Sequence, residues 1–205
     1  MARYLLAAAA ALFALAGCME VERYGGAAPY EAFVDDPIEV VVPPNAPYIS
    51  KEFAPGNPDI SYPGHYGIDF WAKRGTPILA AAPGVVVASY YEPNYGNRVV
   101  IDHGTDEGGR RVRTVYLHLQ SRGVKPGDKV RRGQEIATMG DTGLLGLLVH
   151  LHFEVRRENE RGNLKALDPH LLWADGVGRV TCFDARRRLP ARPFRITLPV
   201  PCKAG

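Results

Sequence analysis

The chain has 205 residues, 46% hydrophobic and 23% charged, with 22 glycines, 17 prolines and a formal net charge of +3. This gives room for one sizeable domain with extensions, in a composition that suits short strands and turns better than long helices. So small a charge excludes the dense basic tract of a nucleic-acid binder, and no Cys-x-x-Cys spacing supports a thiolate metal knuckle or redox pair.

In chain order, Arg3 precedes an apolar run over residues 5–16, and Gly17-Cys18 follows. A single positive charge, a short hydrophobic stretch and a small-residue exit mark a secretory signal peptide over residues 1–17, too short for a comfortable membrane span. Leu15-Ala16-Gly17-Cys18 resembles the bacterial lipobox. That resemblance implies lipidation of Cys18 and membrane attachment through the N-terminal lipid. Met19, rather than Asp, then implies an exported lipoprotein at the periplasmic face of the outer membrane. Residues 18–57, rich in proline and glycine, read as a tether, with residues 38–42 a brief β-like run able to dock on the domain edge.

From about residue 60 the pattern is short strands cut by turns. Residues 76–82, 84–90, 97–103, 111–119, 136–139 and 150–155 read as strands, and the glycine-rich segment 104–109 as a long hairpin turn. Residues 156–163 are polar and hairpin-like. Asp168-Pro169 reads as the cap and first position of a helical turn. The expected fold class is therefore all-β and mainly antiparallel. Residues 176–205 form a tail in which Cys182 and Cys202 are expected to pair, as two leftover cysteines do in an exported protein.

Four of the six histidines fall in three similar contexts: His65-Tyr66-Gly67-Ile68-Asp69, Tyr116-Leu117-His118-Leu119 and His150-Leu151-His152-Phe153-Glu154. In a strand, residues two or four apart share a face, so His65 pairs with Asp69 and His150 with His152. His65, Asp69 and one histidine of the 150/152 pair make a three-ligand N/O set, which catalytic zinc sites use while keeping a fourth position open. Two imidazoles remain for proton transfer and oxyanion stabilisation. No Ser lies in a G-x-S-x-G elbow to compete as nucleophile. The inventory is that of metal-assisted amide hydrolysis.

The order H-x-x-x-D, Y-x-H-L, H-L-H-F-E resembles the lysostaphin/LytM-type zinc metallopeptidases over about residues 64–155. Gly75-Thr76-Pro77, Tyr95-Gly96-Asn97 and Val130-Arg131-Arg132-Gly133-Gln134 add to the likeness. The resemblance implies a two-layer β-sheet or sandwich with a narrow groove, a metallopeptidase domain over residues 58–175, and one Zn2+ per chain. It implies His65, Asp69 and His152 as metal ligands, His118 and His150 as the catalytic pair, and peptidoglycan peptides as substrate. The competing expectation is a non-catalytic module of the same fold that binds peptidoglycan or activates an amidase. Such activators typically lack some ligands, and here all three are present. A lipoyl-type carrier is set aside, because the turn at residues 139–143 has no lysine.

Several residues admit two readings. Glu154 is either a partner of the ligand histidine or a structural ion pair. Tyr116 and Asn97 either touch substrate or pack in the sheet, and His170 is expected at the surface or in the cap. The family usually has a small or polar loop before His150. Here residues 144–149 read Leu144-Leu145-Gly146-Leu147-Leu148-Val149, an apolar loop expected to alter substrate choice, cover the groove or contact a regulatory protein.

Overall fold

The computed structural model describes residues 38–57 and 61–203. The expected signal peptide, Cys18 and the first part of the expected tether lie outside the described residues. The strands are β1 (Tyr48–Lys51), β2 (Ile68–Trp71), β3 (Pro77–Leu79), β4 (Gly84–Glu92), β5 (Gly96–Thr105), β6 (Arg111–Arg122), β7 (Lys129–Val130), β8 (Glu135–Met139), β9 (Leu151–Glu158) and β10 (Leu164–Leu167). A 3-10 turn, Pro169–Leu172, follows, capped by the Asp168 side chain. The main path runs β1-β2-β9-β6-β5-β4-β7, with β10 beside β9 and the β3–β8 pair attached through β6. Every strand pairing is antiparallel.

The alternation of apolar side chains decides which way each strand faces. Ile68 and Phe70 on β2, Phe153 and Val155 on β9, and Val112 and Tyr116 on β6 point into one core. Ile78, Ile136 and Met139 of the β3–β8 pair close that core from below, which makes the two layers. Each fully buried large apolar side chain contributes about 1.5–3 kcal/mol, so this face fixes the register of β2, β6 and β9. The opposite face carries only a small cluster, Val100, Val115 and Leu117, and leaves space for the polar groups beside it.

Two segments differ from their sequence-level appearance. Tyr48–Lys51 sits among prolines, yet forms edge strand β1 against β2, held by backbone pairing rather than burial. The tail is part of the core: Val180, Phe194, Ile196, Leu198 and Val200 are buried in the main cluster. Cys182 and Cys202 form a disulfide with Cα atoms 5.9 Å apart. Val41 lies beside the tail, in a parallel bridge to Arg179.

Candidate active site and metal centre

On β2 and β9 the residues that alternate away from the core are Asp69, His152 and Glu154. The antiparallel register places Asp69 directly opposite His152. His65 enters from the segment before β2, where it forms a two-way backbone bridge with Ala54. Three atoms converge as a result. His152 Nδ1 lies 2.7 Å from Asp69 Oδ1, and His65 Nε2 lies 3.1 Å from both Asp69 Oδ1 and His152 Nδ1.

Each ring is held from behind. His65 Nδ1–H donates to the Glu52 carbonyl at 2.7 Å, which turns the Nε2 lone pair inward. The Glu52 carboxylate accepts from His170 Nε2 (2.7 Å), and His170 Nδ1 accepts from the Trp173 indole (2.9 Å). His152 Nε2–H donates to Glu154 Oε1 at 3.2 Å, and Glu154 Oε2 accepts from Arg156 Nε at 2.6 Å. Imidazole ligands of metals typically carry such a partner on the second nitrogen, which fixes tautomer and orientation.

Burial alone would raise the Asp69 pKa, but hydrogen bonds and charge from His152 and His65 hold it far below the usual carboxylate range. Burial alone would lower that of His152, yet Asp69 and Glu154 push it up to about 9. Two imidazole nitrogens and one carboxylate oxygen, all aimed at one point, fit a three-ligand zinc centre.

His118 reaches the same groove by a backbone irregularity. Simple alternation would send it to the core side with Tyr116. Instead its φ is +60°, in the left-handed region that costs a non-glycine residue of order 1–2 kcal/mol. Leu117 and His118 consequently both face the groove, and Leu119 returns to the core. The His118 and His150 ring centroids are 4.6 Å apart, and His150 Nε2 lies 3.9 Å from Asp69 Oδ1. His118 Nδ1–H donates to the Thr142 carbonyl (2.9 Å) and His150 Nδ1–H to the Leu148 carbonyl (2.7 Å), so both Nε2 atoms are left for the groove. Burial pulls the His118 pKa down to about 4, keeping the ring neutral near physiological pH.

Both supporting carbonyls belong to the segment between β8 and β9 that contains the apolar loop. Its root is pinned where Gly143 (φ +87°) meets Gly96 (φ +68°), an approach with no room for a Cβ on either residue. Beyond the root, Leu144, Leu145, Leu147 and Leu148 are exposed, Leu147 at 87%.

The structure thus brings His65, Asp69, His152, His118 and His150 together, and keeps other candidates away. Tyr116 is fully buried, its hydroxyl accepting from the Ala81 amide, and Asn97 bonds the Leu119 and Gln120 carbonyls; both are sheet residues. His170 lies in the capped turn as expected, its amide donating to Asp168 Oδ1, but it is buried rather than at the surface, with the Glu52 carboxylate and the Trp173 indole on its two ring nitrogens. Glu154 is buried and partners both His152 and Arg156. Glu52 and Thr142 escape sequence reasoning because they act through backbone carbonyls, which leave no residue-type signal. Arg156 had one: it lies two residues beyond Glu154, on the same strand face.

Residues 63–169 match the model of peptidase family M23, and the chain belongs to that family. It is 47% identical over 90 residues to the peptidoglycan DD-endopeptidase ShyC of Vibrio cholerae, covering 44% of this chain and 19% of ShyC. It is 43% identical over 94 residues to the lipoprotein YgeR of Escherichia coli, covering 45% of this chain and 35% of YgeR. Among solved structures, a zinc-containing peptidase from Vibrio cholerae matches at 32% identity with a TM-score of 0.50, over 63% of this chain and 38% of that one. The chain therefore spans well under two thirds of these relatives.

Proposed function

We propose that the chain is a zinc-dependent endopeptidase that hydrolyses peptide bonds in bacterial peptidoglycan. The observation that carries this reading is the convergence of His65 Nε2, Asp69 Oδ1 and His152 Nδ1 beside two further imidazoles. Membership in peptidase family M23 and similarity to a peptidoglycan DD-endopeptidase support the reaction class and the substrate. His65, Asp69 and His152 would hold one Zn2+. When bound, zinc supplies Lewis acidity that brings water's pKa to about 7 and polarises a carbonyl.

The remaining steps belong to the chain's own side chains. His118 is neutral, and its Nε2 accepts the proton of the attacking water. His118 Nε2–H then returns that proton to the departing amine, which leaves the ring neutral again. His150, with Nδ1 held on the Leu148 carbonyl, turns Nε2 to the same side of the groove and orients the reacting groups. Asp69 stays ionised beside both rings, and Glu154 with Arg156 keeps His152 in the tautomer that turns Nδ1 inward. The same proposal places the protein in the cell envelope, tethered by a lipid on Cys18 to the periplasmic face of the outer membrane. Similarity to a lipoprotein supports that placement. The exposed loop 144–149 would contact the substrate or a regulatory protein at the rim of the groove.

The test uses the soluble chain beginning after Cys18, with and without His152→Ala, incubated with purified crosslinked peptidoglycan. Zinc-dependent loss of crosslinked dimers, absent in the variant, is the expected result, and the product masses name the bond. Binding to peptidoglycan with zinc in place but no released fragments would contradict the enzyme and favour a binding module.

A further inference from the structure

On the core side of the sheet, away from the histidine cluster, the tail and the turn between β7 and β8 enclose a second cavity of about 450 Å3. Its floor is His103, whose Nδ1–H donates to the Pro83 carbonyl (2.8 Å) and whose Nε2 meets Thr114 Oγ1 (2.8 Å). With both nitrogens engaged and burial pulling its pKa down to about 4, His103 is a neutral floor rather than a charge. The walls are charged and apolar together. Arg131, Arg132, Arg187 and Arg195 line the cavity with Phe183 and Phe194, and no Asp or Glu does.

The positive charge there is largely uncompensated. Arg187 pairs with Asp175 at 2.5 Å. Arg132 donates to the Ala81 and Arg195 carbonyls (2.5 and 2.8 Å), which orient the guanidinium without neutralising it. Arg195 donates to the Phe194 carbonyl, and the Phe194 amide donates to the Glu107 carboxylate just outside the lining. Among the described residues, neither Arg131, Arg132 nor Arg195 has a carboxylate partner. Arg132 and Arg195 are partly buried, so a bound anion would offset their desolvation, while Arg131 stands exposed at the rim. Planar guanidinium forks match a carboxylate in two parallel hydrogen bonds, and the volume is that of a small-ligand pocket.

We propose that this cavity binds a small carboxylate with an apolar body, specifically the free C-terminal end of a short peptide. The guanidinium groups take the carboxylate while the two phenyl rings take the last side chain. An inorganic phosphate would leave the apolar walls unfilled. Peptide-bond hydrolysis generates such ends, so the reaction proposed above would supply the ligand, although the binding itself does not depend on the metal site.

The experiment is isothermal titration of the full chain with N-acetyl-alanyl-alanine, with its C-terminal amide, and with inorganic phosphate. The expected result is one peptide acid per chain, with the amide and phosphate binding at least about tenfold more weakly, a difference well within reach of the measurement. Arg131→Gln with Arg195→Gln should weaken the acid by about the same factor, since it removes two charge-assisted contacts. His152→Ala should leave this binding unchanged. Absence of binding overturns the proposal, as does binding that survives the arginine substitutions. Loss of binding in His152→Ala would assign the peptide to the metal site, and phosphate binding as tight as the acid would remove the peptide assignment.

Discussion

The two halves of the histidine cluster are supported by different parts of the fold. His65, Asp69 and His152 sit on or beside β2 and β9; the hold on His152 is a carboxylate, that of Glu154, and His65 rests on the Glu52 carbonyl just past β1. His118 and His150 face them across the groove, but their Nδ1 atoms rest on the carbonyls of Thr142 and Leu148, in the segment that carries the exposed leucines. A metal site needs ligands pre-set to within a few tenths of an ångström, which paired strands and buried ion pairs provide. Proton transfer tolerates a looser frame that tightens around substrate. On the proposed roles, ligand holding and proton handling belong to separate structural units, so each should fail without the other.

The strongest break is His152→Ala, expected to lose stoichiometric zinc and all turnover; metal analysis beside a muropeptide assay reads both. His118→Ala or His150→Ala should separate the halves, keeping zinc while lowering kcat by roughly 10²–10⁴-fold, the usual range for general acid–base groups. Zinc lost from either variant would show that the halves are not independent.

Glu154→Gln sharpens the same contrast, since it keeps the shape but removes the charge held between His152 and Arg156. Zinc affinity should fall about 10–100-fold with the fold intact, measured by competition with a chelator. Titration offers a further handle. Because the His152 pKa is raised to about 9, its contacts stabilise the ion-free chain fully below pH 6.5, and this contribution is lost as the pH rises through 9. The His118 pKa, lowered to about 4, acts oppositely: its stabilising contribution is lost as the pH falls from 6.5 through 4. Melting curves of the zinc-free chain should thus decline towards both ends, and zinc uptake at pH 7 should release about one proton. The smallest effect belongs to the loop: Leu144→Ser with Leu147→Ser should leave zinc binding unchanged and stability within about 0.5 kcal/mol, as exposed sites do, while altering kcat/KM on peptidoglycan.

Much of this was readable because it is local. A period of two places Asp69 and His152 on the face opposite Ile68, Phe70 and Phe153, and the apolar pattern alone fixes that. What the sequence hid depends on single torsions or distant backbone. The turn of His118 into the groove rests on one positive φ, which Tyr-x-His-Leu does not announce. Strand β1 lies between prolines and earns its place only by pairing with β2. The hold on His65 runs through a carbonyl of Glu52, whose side chain is anchored 118 residues away on His170. The tail's buried residues, Phe194, Ile196, Leu198 and Val200, do alternate with Arg195, Thr197 and Pro199, a period-two signal legible in the sequence. What it does not announce is that the segment packs into the main core with an isolated bridge, Trp173 to Ile196, in place of a full ladder.

The most direct test is a crystal of the zinc-loaded chain with anomalous diffraction measured at the zinc edge. One strong peak per chain is expected, about 2.0–2.2 Å from His65 Nε2, Asp69 Oδ1 and His152 Nδ1, with His118 and His150 unligated across the groove. A peak held by His118 or His150, or no peak in this cluster, would contradict that ligand set.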